Sequence, residues 1–182
     1  EEVTTARFHI IALGLESTVA ASATPAEVIR DVHAQHGLAI AAHPVEPYWP
    51  ALLPVRAELD GSEVMHPIAY SEPRSDWRWS DTVTFWEDAK PPLAAIGSSD
   101  YHFGSILGLC RTLVFVKEAS FETDREAAVI EAVREGHTVT RALDGRTFGH
   151  PDMVRLLERE PYEPRSSDYR YHGEGWLDRI LR

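Results

Sequence analysis

The chain has 182 residues, 43% of them hydrophobic and 26% charged, and a formal net charge of −11. That is the composition of a globular domain with a core of its own, and so acidic a surface repels nucleic acids and anionic membranes. No run approaches the ~20 apolar residues of a membrane span, no secretory leader is visible, and the single cysteine, Cys110, forbids an internal disulfide, which fits a reducing, cytoplasmic setting.

The chain opens on Glu1 and runs at once into EEVTT, a strand-like stretch with nothing before it. It reads as the start of a fragment or a processed product. Residues 7–15, RFHIIALGL, are β-branched and apolar and predict a buried strand. Thr24-Pro25-Ala26-Glu27 is a capping box with proline at the first helical position, so a helix runs over about 25–36 and stops at Gly37. Residues 38–44, LAIAAHP, predict a short buried strand that ends in His43-Pro44 and closes a β-α-β unit.

Residues 45–60 are rich in Pro and Trp and predict a loop or short helix, and SEVMHP at 62–67 predicts a strand ending in His66. The stretch 68–83 is irregular, with a helix expected from about Ser80 to Ala89. PLAAIG at 92–97 and TLVFV at 112–116 are further buried strands. Thr123-Asp124-Arg125-Glu126 reads as a second capping box, whose helix stops at Gly136, and HTVTRA at 137–142 is the last clear strand. This alternation of helices with unalternating apolar strands predicts a largely parallel α/β sheet or barrel. Beyond Phe148 the sequence turns charged and proline-containing, so 1–147 reads as the domain and 148–182 as a peripheral extension.

In parallel α/β folds, sites gather at the carboxyl ends of strands. Three successive strands here end in metal-competent side chains: His43, His66, and the pair Asp100 and His102. In extended chain, positions i and i+2 share a side, so Asp100 and His102 can converge on one cation with an oxygen and a nitrogen donor. Glu2 and His9 flank the first strand region and can join them. Each has a plainer reading. Gly-Ser-Ser-Asp is turn chemistry. His43 can be a buried histidine bonded to a carbonyl, His66 can pack beside Pro67, Glu2 can be a solvated acid, and His9 can line a strand. His33, His36, His137, His150 and His172 read as surface or cap residues, and Cys110 as a core thiol. No nucleophile elbow, Walker loop or C-x-x-C motif is present.

Several of these stretches resemble the PHP family, the polymerase and histidinol phosphatase domain. GLAIAAHP (37–44) is similar to its G-hydrophobic-AHP motif and GSSDYH (97–102) to its GSD-x-H motif. EEVTT with FHIIALGL resembles G-x-E…H-I-L-G-L, and EAVREGHTVT (131–140) the A-h-R-x-G-R-T segment. DGSEVMH (60–66) falls on an E-V-x-N position, with His66 in place of asparagine. The family's opening D-x-H-x-H and T-D-H motifs are absent. On the strength of EEVTT, the chain looks most similar to the carbaryl-hydrolase-like metallohydrolases within the family.

The resemblance implies the C-terminal part of a distorted (βα)7 barrel with two or three divalent ions, Zn, Mn or Fe, at its mouth. By position it implies Glu2, His9, His43, Asp100 and His102 as ligands, with Glu2, Asp100 and His102 at the catalytic centre and Glu2 able to bridge two ions. His66, Arg111 and Arg141 are candidates for holding substrate. A small phosphoester substrate, cleaved by water activated on the ions, is the leading expectation. A carboxyl- or carbamate-ester hydrolase and an inactive fragment that only binds metal or a partner are the alternatives. With the front of the barrel missing, residues 7–15 would form an unpaired edge strand, so self-association is expected.

Overall fold

A computed structural model of the chain describes residues 1–21, 23–70, 77–102, 108, 110–142 and 145–159. The first sheet has five strands in sequence order: β1 (Glu2–Thr4), β2 (His9–Leu13), β3 (Leu38–Ala41), β4 (Gly61–Met65) and β5 (Ala94–Gly97). Here β3, β4 and β5 run parallel, while β1 and β2, and β2 and β3, pair antiparallel. A second, antiparallel sheet holds β6 (Cys110–Val114), β7 (Thr138–Ala142) and β8 (Thr147–Gly149).

The molecule is therefore mixed α/β, with parallel pairing confined to β3, β4 and β5 on one side of the first sheet, and the largely parallel sheet of the sequence expectation is corrected to that. The eight described strands form two sheets rather than one closed barrel. Unalternating apolar runs report two covered faces, not strand direction. In β3, β4 and β5 every residue is buried, whereas β2 alternates. The turn between β1 and β2 is too short for a crossover and leaves only an antiparallel pair. Thr5 closes it, its hydroxyl donating to the Phe8 carbonyl at 2.9 Å and accepting the Phe8 N–H at 3.0 Å. The 7–15 segment is no free edge, because β1 pairs along it from Glu2↔Ile11 to Thr4↔His9.

Helix α1 (Pro25–His33) carries the expected capping box: Thr24 accepts the Glu27 N–H, and the Glu27 carboxylate accepts the Thr24 N–H. It buries Val28, Ile29 and Val32 against Ile10, Ala12, Ala39 and Ala41 on one face of the sheet. Each such side chain contributes about 1.5–3 kcal/mol. The positive φ beyond this helix falls on His36 rather than on Gly37. A Cβ at Gly37 would lie 2.5 Å from the Leu13 carbonyl oxygen, so glycine is needed there for close approach.

Residues 46–58 form 3-10 turns around one short helix, α2 (Trp49–Leu52), and α3 (Trp79–Glu87) packs on β4 with Thr82 donating to the Val64 carbonyl. After α4 (Glu118–Thr123) comes α5 (Arg125–Arg134), whose cap is Asp124 and not Thr123: the Asp124 carboxylate accepts the Ala127 N–H. Ile130 and Val133 of α5 cover Leu38, Ile40, Ala94 and Ile96 on the opposite face of the sheet. Cys110 is buried with Met65 and Ala142. The expected boundary at 147/148 falls inside β8, where Phe148 stacks edge-on against Trp79 and Trp86 before α6 (Pro151–Arg159). His172 lies outside the described residues. No helix among the described residues is long and apolar enough to cross a membrane.

Candidate metal centre

Parallel strands bring their carboxyl ends to one side, so His43 beyond β3, His66 beyond β4 and Asp100 beyond β5 arrive together. Strand β2 runs the other way, which delivers its first residue, His9, to the same end; the His9 carbonyl accepts the Ala42 N–H at 3.2 Å. Glu2 of β1 completes the group from the neighbouring strand.

Two sets of side chains bring one ligand atom each to within 4.8 Å of one another: Glu2, His9 and His43, and His43, His66 and Asp100. In the first, His9 Nδ1 is 2.8 Å from Glu2 Oε1 and 3.2 Å from His43 Nε2, and His43 Nε2 is 3.8 Å from the same carboxylate oxygen. Two imidazole nitrogens and a carboxylate oxygen facing a single point form the donor set that zinc and similar divalent ions take. The Tyr48 hydroxyl lies 3.4 Å from His9 Nε2. If it accepts the Nε2 proton, the Nδ1 lone pair is left for the centre, as outer partners of metal-bound histidines do.

His43 belongs to both sets. It is 4% exposed, with the His9, His66, Tyr48 and Trp77 rings around it. Burial, followed by the neighbouring His66 and His9, lowers its pKa to about 4, so it stands neutral and ready to donate a lone pair near neutral pH. A neutral imidazole has one lone pair, so His43 serves one position at a time. Its φ is +29°, in the left-handed region that non-glycine residues rarely enter. Glu63 of β4, 2% exposed, braces that turn: its Oε2 accepts the His43 N–H at 2.6 Å. Burial raises the Glu63 pKa. Neither Glu63 nor Tyr48 figured among the sequence candidates, although a glutamate inside the all-buried strand GSEVM was a visible signal.

Asp100 also has a positive φ, +42°. Its Oδ2 is 3.2 Å from His66 Nε2, and this contact holds its carboxyl below the usual range despite partial burial. His102 lies outside both sets. Its side chain is 77% exposed, and its Nδ1 is 2.9 Å from the Asp100 carbonyl oxygen and 3.5 Å from Asp100 Oδ1. The two side chains meet, but with Asp100 left-handed the His102 ring reaches the carboxylate from the exposed side and does not join the other ligand atoms. Arg111 and Arg141 are direct cross-strand partners in β6 and β7. They alternate with Thr112, whose hydroxyl bonds the Gly97 N–H and carbonyl, and with Thr140, whose oxygen a Cβ at Gly97 would meet at 2.0 Å. The two arginines therefore point from the face turned away from β5. Of the other described histidines, His33 pairs with Asp60, His137 with Glu135, and His150 Nδ1 accepts the Asp152 N–H, all as cap or surface groups.

No family model matches the chain, and no curated protein does. Solved structures do match. Among them is the crystal structure of a two-domain protein from Bacteroides vulgatus containing a predicted PHP-like metal-dependent phosphoesterase, at a TM-score of 0.57 and 19% identity. The two chains share a fold. The match takes in 83% of this chain and 45% of that one, so this chain spans less than half of that protein's length.

Proposed function

We propose that the protein is a metal-dependent hydrolase, with a small phosphoester as its substrate class. The observation that carries the reading is the convergence of Glu2 Oε1, His9 Nδ1 and His43 Nε2 at the strand ends of a fold shared with a protein that contains a predicted PHP-like metal-dependent phosphoesterase. On this reading the two sheets are the counterpart of part of a PHP barrel. Glu2, His9 and His43 hold a divalent ion, and Asp100 presents a further carboxylate within 4.8 Å of His43.

When bound, such an ion supplies a Lewis acid and brings the pKa of water towards neutrality. The chain's own part is to hold the ligands still and keep them unprotonated. The buried, neutral His43 does this near neutral pH, with Glu63 fixing its peptide. Tyr48, whose pKa burial and then Glu2 raise, remains protonated near neutral pH, so its O–H is available at the wall of the site. A carboxyl- or carbamate-ester substrate would use the same residues.

The test is hydrolysis of p-nitrophenyl phosphate, bis-p-nitrophenyl phosphate and p-nitrophenyl acetate by chelated protein reloaded with zinc or manganese. Phosphoester turnover that appears only with metal and disappears in His43→Ala supports the reading. Acetate turnover alone favours the carboxylester alternative, and metal binding without turnover of any substrate makes the chain a binding module.

A further inference from the structure

His66 meets the simplest criteria for a metal ligand: it is 4% exposed, it stands at a strand end, and it lies beside His43 and Asp100. Its hydrogen bonding says otherwise. The backbone N–H of Ile68 donates to His66 Nδ1 at 3.1 Å. A nitrogen that accepts an N–H carries its lone pair in that direction, so Nδ1 is the unprotonated nitrogen. In imidazole the other nitrogen then bears the proton. The N–H of Nε2 faces Asp100 Oδ2 at 3.2 Å. The separation is within hydrogen-bond reach, but Nε2 makes no hydrogen bond in this geometry, so it stands as a buried polar nitrogen facing the Asp100 carboxylate. For Nε2 to bind a cation its proton would have to move to Nδ1, where it would collide with the Ile68 N–H.

We propose that His66 is a positioning residue: it donates its Nε2 proton to the Asp100 carboxylate and so holds that carboxylate beside His43, and it is not itself a metal ligand. This rests on the reading of the site as a metal centre with Asp100 as a ligand. The need for such a hold is local. Asp100 sits at φ +42° in a turn, and the other ring beside its carboxylate, His102 at 3.5 Å, is largely exposed, which leaves His66 as its buried neighbour. The turn that supplies Ile68 starts at Pro67 and is closed by the His66 carbonyl accepting the Ala69 N–H at 2.9 Å, so the ring and its partner are set by one short segment. Outer partners that orient a metal-bound carboxylate are worth about 10–100-fold in affinity.

The test has two arms on the full chain. In the first, nitrogen-15 NMR of the metal-free protein reads the His66 tautomer, with the resonance assigned by its loss in His66→Gln. A neutral ring protonated on Nε2 is expected, and protonation on Nδ1 overturns the proposal. In the second, cobalt(II) is titrated into wild type, His66→Gln and His66→Ala. The glutamine amide nitrogen reaches where Nε2 stood and keeps the donor, so His66→Gln should retain the wild-type stoichiometry and visible spectrum, while His66→Ala weakens binding about 10–100-fold. A His66→Gln protein that loses an ion or changes its cobalt spectrum as His66→Ala does would make His66 a ligand and overturn the proposal. Wild type that binds no cobalt at all contradicts the metal-centre reading instead, and the NMR arm still decides the tautomer.

Discussion

Acidifying the metal-free protein exposes the burial of His43. In the chelated fold this imidazole titrates at about 4 instead of its ordinary 6.5, because burial removes its water and His66 and His9 crowd its charged form. Its side chain is only 6% exposed, so solvent screening reduces the effect little. Above pH 6.5 the ring is neutral in both folded and unfolded chains and contributes nothing to the pH dependence. Between 6.5 and about 4 the unfolded chain binds a proton that the native state refuses, so stability falls as pH falls, and below about 4 the loss is complete. The gap, at ~1.4 kcal/mol per pH unit, amounts to about 3 kcal/mol, a large part of a typical 5–15 kcal/mol. The assay is urea unfolding in EDTA across this window for wild type and His43→Gln. Wild type should take up about one more proton on unfolding than the variant near pH 5. Identical pH dependence in the two proteins would refute the claim that the site keeps His43 neutral by burial.

Three further outcomes are expected. Asp100→Asn should weaken cobalt binding more than about tenfold while leaving the urea midpoint little changed, since the amide keeps the shape and loses the charge; unchanged binding would make Asp100 a turn residue. His102→Ala should leave cobalt affinity as it is, because the side chain stands 77% exposed outside both donor sets; loss of an ion would reinstate it as a ligand. Glu63→Leu should destabilise the metal-free fold by about 1–3 kcal/mol by orphaning the buried His43 N–H, and Glu63→Gln, which keeps an acceptor, by less; equal stability of Leu and wild type in urea would contradict the bracing role.

The strand ends were legible in the sequence because short apolar runs stop abruptly at His43, His66 and Asp100, and the structure places those three ends on one side. The capping box at Thr24 was equally plain, since it needs only local spacing. Strand direction was not legible. An apolar run reports how many faces are covered, and β2 antiparallel to β3 carries much the same residues as a parallel strand would. His102 was placed by the rule that alternate residues share a side; with Asp100 left-handed, its ring meets Asp100 at 3.5 Å but stands exposed outside both donor sets. Glu63 could have been found: a carboxylate within a strand of small and apolar residues must meet a donor when it is buried. Tyr48 could not, because its approach to His9 depends on how the residues 46–58 fold back over the strand ends.

Glu2, His9 and His43 are proposed to hold a divalent ion together. Calorimetric titration of zinc or cobalt into chelated wild type, Glu2→Gln, His9→Ala and His43→Ala, with bound metal counted after dialysis, tests it most directly. Wild type should bind the ion saturably, and each of the three variants should lose it while retaining the wild-type circular dichroism. A wild-type chain that retains no metal, or three variants that bind it as wild type does, would contradict it.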